Sequence, residues 1–99
     1  MILIYCPCKD KVEAKKISKA LLAKKLIACV NIVQSDSMYC WKNKLCNDRE
    51  AIAIMKTAAK KTAEVEKEIK KLHSYDLPAI IKINAKSNNE FKDWIKRQT

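Results

Sequence analysis

Two segments of this sequence are apolar on both faces of the strand that each would form. Residues 51–55 read Ala-Ile-Ala-Ile-Met, and residues 28–33 place valine and isoleucine on one face and cysteine and valine on the other. A sheet covered by helices on one side normally alternates apolar and polar residues, because its other side meets water. We therefore expect another copy of the chain to cover the second side. The alternative is that the last helix or a loop folds back over it.

The chain has 99 residues, the size of one domain, so residues 1–99 are expected to form a single domain. Hydrophobic spacing, together with turn and capping residues, predicts eight elements. These are strands at 2–6, 28–33, 37–42, 50–56 and 79–85, and helices from Asp10 to about 25, from Thr57 to about 72 and from Ser87 onward. The order indicates an α+β, ferredoxin-like βαββαβ sandwich with an extra strand and a C-terminal helix.

Side chains that cap helices support these boundaries. Asp10 with Glu13, and Ser87 with Glu90, have the spacing of a capping box, and Thr57 is expected to cap the second long helix. Residues 34–36 (Gln-Ser-Asp) are predicted to form a turn.

Glycine is absent from the whole sequence. Phosphate-binding loops, the dinucleotide-binding fingerprint, the nucleophile elbow and the EF-hand loop all need glycine where no side chain fits, so these sites are excluded. At the turn after the tryptophan of the third strand, Asn43 is expected to take the left-handed conformation in place of glycine.

The formal net charge is +10, and all but two of the 21 basic residues are lysines. Such a charge attracts nucleic acid or other polyanions. Few aromatic residues and few arginines argue against a surface that reads bases, so we keep nucleic-acid binding only as an alternative. No apolar run is long enough to span a membrane, and residues 1–5 lack the basic start of a signal peptide, so a cytoplasmic location is expected.

Several segments resemble, in order and spacing, the CutA family of proteins linked to divalent-cation tolerance. They extend over essentially the whole chain, and together they are specific although none is diagnostic alone. The matching pieces are KLIACVN at 25–31, SMYCWKNK at 37–44, KT at 56–57, HSYDLP at 73–78 and WI at 94–95.

The resemblance implies a ferredoxin-like homotrimer built by sheet edges meeting around a threefold axis. It also implies binding of copper or another divalent metal, no established enzymatic activity, and in some relatives the anchoring of another protein. The sequence departs from the family pattern at three places. Asn43 stands where glycine is usual, residues 73–76 read His-Ser-Tyr-Asp in place of His-Pro-Tyr-Glu, and Ala79 replaces a glutamate that is a proposed metal ligand.

Three residues are our candidate metal ligands. By the resemblance, Cys6 and His73 match a proposed cysteine and histidine ligand. Cys8 joins them because residues i and i+2 of a strand point to one side, and thiolates with imidazole suit copper or zinc. The other interpretation is that Cys6 is a buried core residue and Cys8 a loop thiol.

The other chemically capable residues have simpler explanations. Cys29 and Cys40 lie in predicted strands and are expected to be packing residues, and Cys46 is expected in a turn. His73, the only histidine, has no recognisable nucleophile as a partner and is expected at a helix C-terminus rather than in catalysis. The aromatic residues Tyr39, Trp41 and Tyr75 could line a cleft between subunits or anchor an interface.

These observations favour a non-enzymatic, trimeric, CutA-like protein that binds copper or another divalent metal, with a possible unidentified protein partner. The first alternative is a trimeric ligand-sensing or protein-anchoring scaffold without metal. The second is a basic nucleic-acid-binding protein.

Overall fold

The computed structural model describes all 99 residues, which form four strands and three α-helices. A short 3₁₀ turn, Ala59–Lys61, leads into the second helix. The elements in chain order are β1 (Ile2–Cys8), α1 (Lys11–Ala23), β2 (Cys29–Trp41), β3 (Lys44–Thr57), α2 (Thr62–Leu72), β4 (Ile81–Asn84) and α3 (Asn89–Gln98).

The four strands form one antiparallel sheet in the order β2-β3-β1-β4. Helices α1 and α2 make the two crossovers, and their buried residues join those of β1 and β3 in a single hydrophobic core. The predicted α+β, ferredoxin-like plan with a C-terminal helix is confirmed. No helix of the chain is both long and apolar enough to cross a bilayer.

The extra strand predicted from the sequence is not a separate element. Residues 28–33 and 37–42 belong to one strand, β2, and the expected turn at 34–36 lies inside it, paired with 49–51 of β3. The chain reverses only at Lys42 and Asn43, which both have positive φ (51° and 63°) as a two-residue hairpin turn requires. The left-handed Asn43 is therefore confirmed. Because this turn joins Trp41 directly to Lys44, pairing runs unbroken along both strands.

One of the three predicted helix caps is confirmed. Asp10 caps α1, accepting a hydrogen bond from the Glu13 N–H at 2.8 Å. Thr57 instead ends β3, fully buried, and its hydroxyl donates to the Leu26 carbonyl at 2.6 Å, so it is not free to cap a helix. Ser87 donates to the Asn88 carbonyl, and α3 begins one residue later than a Ser87 cap would require.

The outer parts of β2 and β3 project beyond the sheet as a two-stranded ribbon, which we call the hairpin arm (residues 35–50). Strand β1 pairs with β3 only from Ala51 onward, so the arm touches no third strand. Several large apolar side chains on it are exposed. These are Met38 (65%), Tyr39 (45%), Trp41 (64%) and Leu45 (69%).

The sheet surface opposite α1 and α2, which we call the second face, is largely apolar. Cross-strand register places nine apolar residues on it: Leu3, Tyr5, Pro7, Cys29, Val33, Ile52, Ile54, Ile81 and Ile83. Helix α3 contacts β3 and buries Ile95 completely, outside the main core. Val33, Ile81 and Ile83 nevertheless remain 44–47% exposed, so the covering by a last helix considered above is incomplete.

Helix α1 ends in a Schellman motif that uses lysine where glycine is usual. The Leu26 N–H donates to the Leu21 carbonyl and the Lys25 N–H to the Leu22 carbonyl, both at 3.0 Å. This arrangement requires the left-handed conformation at Lys25, whose φ is 56°. A residue with a Cβ atom is strained in that conformation.

Replacing Lys25 by glycine should therefore stabilise the protein. Lys25→Gly should relieve about 1–2 kcal/mol of strain, but glycine's greater freedom in the unfolded chain costs about 0.5–1 kcal/mol. The free energy of unfolding should therefore rise by roughly 0.5–1 kcal/mol. Denaturant unfolding at one protein concentration measures it. Lys24→Gly removes the same charge at φ −89° and should destabilise; a loss of stability in both variants would contradict the assignment.

Candidate metal site

The fold brings together the three residues singled out as metal ligands. One ligand atom from each of Cys6, Cys8 and His73 lies within 4.8 Å of the other two. All three residues are buried, and all come from one chain, so no neighbouring subunit is needed to form this cluster.

The end of β1 positions the two cysteines. Cys6 and Cys8 alternate with Pro7, and both side chains point to the face covered by the helices, where they belong to the hydrophobic core. Cys8 is the last residue of β1 and fully buried, so the alternative of a loop thiol is wrong for it. Burial of Cys6 agrees with a core role and does not by itself exclude ligation.

His73 lies at the end of α2, as expected. It is the C-terminal cap residue of that helix, and its backbone N–H donates to the Ile69 carbonyl at 2.8 Å. Its extended backbone (φ −74°, ψ 140°) turns the chain away from the helix and brings the imidazole to β1.

Both ring nitrogens of His73 take part in hydrogen bonds. Nε2 lies 2.8 Å from the Pro7 carbonyl oxygen, and Nδ1 accepts from the Tyr75 N–H at 3.1 Å. A carbonyl can only accept and a backbone N–H can only donate, so this arrangement requires the neutral imidazole with its proton on Nε2. The imidazole therefore fixes the peptide between the two cysteines.

The two thiols titrate as a pair. A hydrogen bond from Cys8 lowers the pKa of Cys6, against the effect of burial. The same hydrogen bond raises the pKa of Cys8, and burial and the neighbouring carboxylates raise it further. The pair thus loses its first proton far more readily than its second.

Glu13 ties the start of α1 to the segment that follows His73. Its carboxylate is buried, accepts from the N–H groups of Lys9 (3.0 Å) and Ser74 (2.9 Å), and lies 3.9 Å from Nδ1 of His73. Burial acts to raise the pKa of Glu13, but the hydrogen bonds from Ser74 and Lys9 outweigh it and lower the pKa. From the sequence, Glu13 was predicted only as part of a capping box. Its spacing from Ile17 and Leu21, four and eight residues later, places Glu13 on the buried face of α1. A carboxylate on that face must find hydrogen-bond donors inside the fold, and this was the available signal.

Tyr75 links the cluster to the base of the hairpin arm. Its hydroxyl donates to the Glu50 carboxylate at 2.7 Å, and its ring lies 4.7 Å from that of His73. Burial and the Glu50 carboxylate both raise the pKa of Tyr75. Tyr39 and Trp41, which were grouped with Tyr75, instead lie on the hairpin arm.

The remaining candidates lie outside the cluster. Ala79, which replaces a family glutamate, is exposed and brings no ligand. Cys29 and Cys40 both lie in strand β2, as predicted. Cys40 is exposed, so the prediction that it packs inside the single chain is wrong. Cys46 is in β3 rather than in a turn, because the hairpin reverses earlier, at 42–43.

Comparison with known proteins gives a consistent result over the whole chain. The family of CutA1 divalent ion tolerance proteins matches residues 2–98. The divalent-cation tolerance protein CutA of Pyrococcus horikoshii is 39% identical, over 100% of this chain and 98% of that protein.

Solved structures agree with the sequence comparison. The crystal structure of CutA1 from Pyrococcus horikoshii superposes with a TM-score of 0.96 at 37% identity, covering 100% of this chain and 98% of that one. The divalent cation tolerance protein CutA from Archaeoglobus fulgidus, described as periplasmic, gives 0.94 at 41% identity, covering 99% and 98%. The resemblance found in the sequence is confirmed, and the chain belongs to the CutA1 divalent ion tolerance protein family.

Proposed function

We propose that this protein is a cytoplasmic homotrimer, one domain per chain, which contributes to cation tolerance by binding copper or another thiophilic divalent metal at Cys6, Cys8 and His73. It acts by binding and not by catalysis. The observation that carries the metal-binding part is the convergence of two thiols and an imidazole inside one buried cluster. All five cysteines are free thiols, which fits a reducing compartment.

The exposed surface of a single chain supports assembly. One chain exposes 6675 Å², whereas a monomer of this mass is expected to expose about 5,800 Å². Its radius of gyration, 14.1 Å, also exceeds the value of about 13 Å expected for 99 residues. Both excesses fit the projecting hairpin arm, and an isolated two-stranded ribbon is at best marginally stable in water.

The second face and the tip of the hairpin arm together give the proposed interface its composition. Tyr39 and Trp41 have the same side-chain direction as Val33, but Ser35 and Ser37 lie between them, so the tip carries a second, separate apolar patch. Monomers seldom leave large apolar patches in water. Strands β2 and β4 are the sheet edges, which the family resemblance assigns to contacts around the threefold axis.

A charge placed on the second face tests the assembly. Val33→Lys should break the trimer into smaller species, because an unpaired ammonium buried in an apolar interface costs several kcal/mol. Val12→Lys adds the same charge at an exposed apolar position of α1 (76% exposed) and should leave the assembly unchanged. Light scattering after gel filtration measures both masses. Equal masses for the two variants would mean that the second face is not an interface.

Removal of the three candidate ligands tests the metal-binding part. The variant Cys6→Ser, Cys8→Ser, His73→Ala should lose copper affinity by more than about 100-fold, since changes to groups that merely support ligands already cost 10–100-fold. Competition titration against a chelator of known affinity measures the loss. An affinity equal to that of the wild type would end the proposal.

The matched control keeps the cluster and removes the other thiols. The variant Cys29→Ser, Cys40→Ser, Cys46→Ser should retain the copper affinity of the wild type, because these residues lie outside the cluster. If this variant loses the affinity and the ligand variant keeps it, copper binds elsewhere.

A further inference from the structure

The hydrogen bonds of His73 limit which donors of the cluster are available to a metal ion. Nε2 is bonded to the Pro7 carbonyl and Nδ1 to the Tyr75 N–H. In contrast, the hydrogen bonds of the cysteine sulfurs to backbone carbonyls are long, at 3.9 Å for Cys6 and 3.6 Å for Cys8. A metal that recruits the two sulfurs therefore breaks weaker hydrogen bonds than one that recruits the imidazole.

We propose that the cluster selects a soft monovalent d¹⁰ cation, Cu(I) or Ag(I), held between the sulfurs of Cys6 and Cys8 alone, with His73 as a positioning residue and not a ligand. This inference rests on the proposed metal-binding function and narrows it to an oxidation state, a coordination number and a role for the imidazole.

The two sulfurs lie no more than 4.8 Å apart. Two metal–thiolate bonds of about 2.3 Å on opposite sides of an ion span about 4.6 Å, a separation that this upper bound admits. Cys6 and Cys8 already point to the same side of β1, so both sulfurs face the same space.

A divalent ion would need more donors than the cluster offers. Structural zinc sites, for example, use four ligands. The nearest carboxylate, Glu13, accepts from the Lys9 and Ser74 N–H groups, and Ala79 supplies no oxygen where the family has a glutamate. Recruitment of His73 would break one of its two hydrogen bonds and leave a buried polar group unpaired. Soft thiolates favour Cu(I), which does not require a third ligand.

Charge and proton balance are compatible with this binding mode. Binding by both sulfurs replaces the protons of two thiols with one cation, releases two protons to solvent and moves no electron. The occupied site then carries a single net negative charge. The carboxylates of Glu13 and Glu50 favour the thiol form of Cys8, a cost that the two metal–sulfur bonds must outweigh.

The structure gives His73 its positioning role through Pro7. The carbonyl that accepts from Nε2 belongs to Pro7, which lies between the two cysteines. This bond therefore fixes the short backbone segment that carries both sulfurs. Metal sites commonly depend on such supporting hydrogen bonds to orient their ligands.

The test uses the full chain carrying Cys29→Ser, Cys40→Ser and Cys46→Ser, loaded with Cu(I) under anaerobic conditions and, separately, with Ag(I). X-ray absorption of the copper form should show two sulfur neighbours and no imidazole, at one ion per chain. Competition with a Cu(I) chelator gives the affinity. Because the spectrum is read from a chain with an intact cluster, the result does not depend on whether variants of Cys6 or Cys8 fold.

Variants of His73 separate positioning from ligation. His73→Gln, which retains an N–H donor for the Pro7 carbonyl, should keep the two-sulfur spectrum and a Cu(I) affinity within about threefold of the parent. His73→Ala should lose roughly 10–100-fold in affinity while keeping the same two-sulfur spectrum.

Two kinds of outcome are distinguishable. An imidazole in the spectrum, or His73→Gln losing as much affinity as His73→Ala, overturns this inference and leaves the proposed metal-binding function in place. Preference for Zn²⁺ or Cu²⁺ over Cu(I) at the same thiols overturns it as well. Absence of any metal at the cluster overturns both.

Discussion

The constraint on which the rest of this structure depends is a sheet that is apolar on both sides while its two crossover helices cover only one. Antiparallel pairing in the order β2-β3-β1-β4 places α1 and α2 on the same face, and α3 contributes only a small buried patch around Ile95. Val33 and Ile81 therefore remain half exposed, and the hairpin arm exposes further apolar side chains near its tip. The proposed assembly of several chains would remove these surfaces from water and stabilise the arm as well.

The candidate site depends on a different part of the fold. Hydrogen bonds to Glu13, Pro7 and Glu50 tie the segment that follows α2 to α1, β1 and β3, and all of them lie within one chain. The candidate metal site and the proposed interface are thus separate parts of the fold that meet at β3, whose residue Glu50 contacts Tyr75 and whose outer part forms the arm. No partner subunit is needed to bring the thiols of Cys6 and Cys8 together, as their alternation along the strand predicted.

Much of the fold and part of the site could be predicted from the residues. The apolar run before Pro7, the Asp10 cap and the spacing of Val65 and Ile69 identified β1, α1 and α2, because each depends on local patterns. The division of β2 into two strands was wrong, since the polar residues 34–36 resemble a turn and only their pairing with 49–51 shows otherwise. The proximity of Cys6, Cys8 and His73 was suggested by strand alternation and family resemblance. The engagement of both imidazole nitrogens could not be predicted, because the Nε2 contact joins residues 66 positions apart and the Nδ1 contact depends on how the chain turns after α2.

The mass of the unmodified protein in solution tests the central claim most directly. Sedimentation equilibrium over a concentration series from about 1 to 100 μM gives that mass without assumptions about shape. The account predicts three times the 11.4 kDa of one chain throughout the series, with no folded species of lower mass. A folded particle of 11.4 kDa at these concentrations would show that the second face and the hairpin arm are stable in water, and would contradict it.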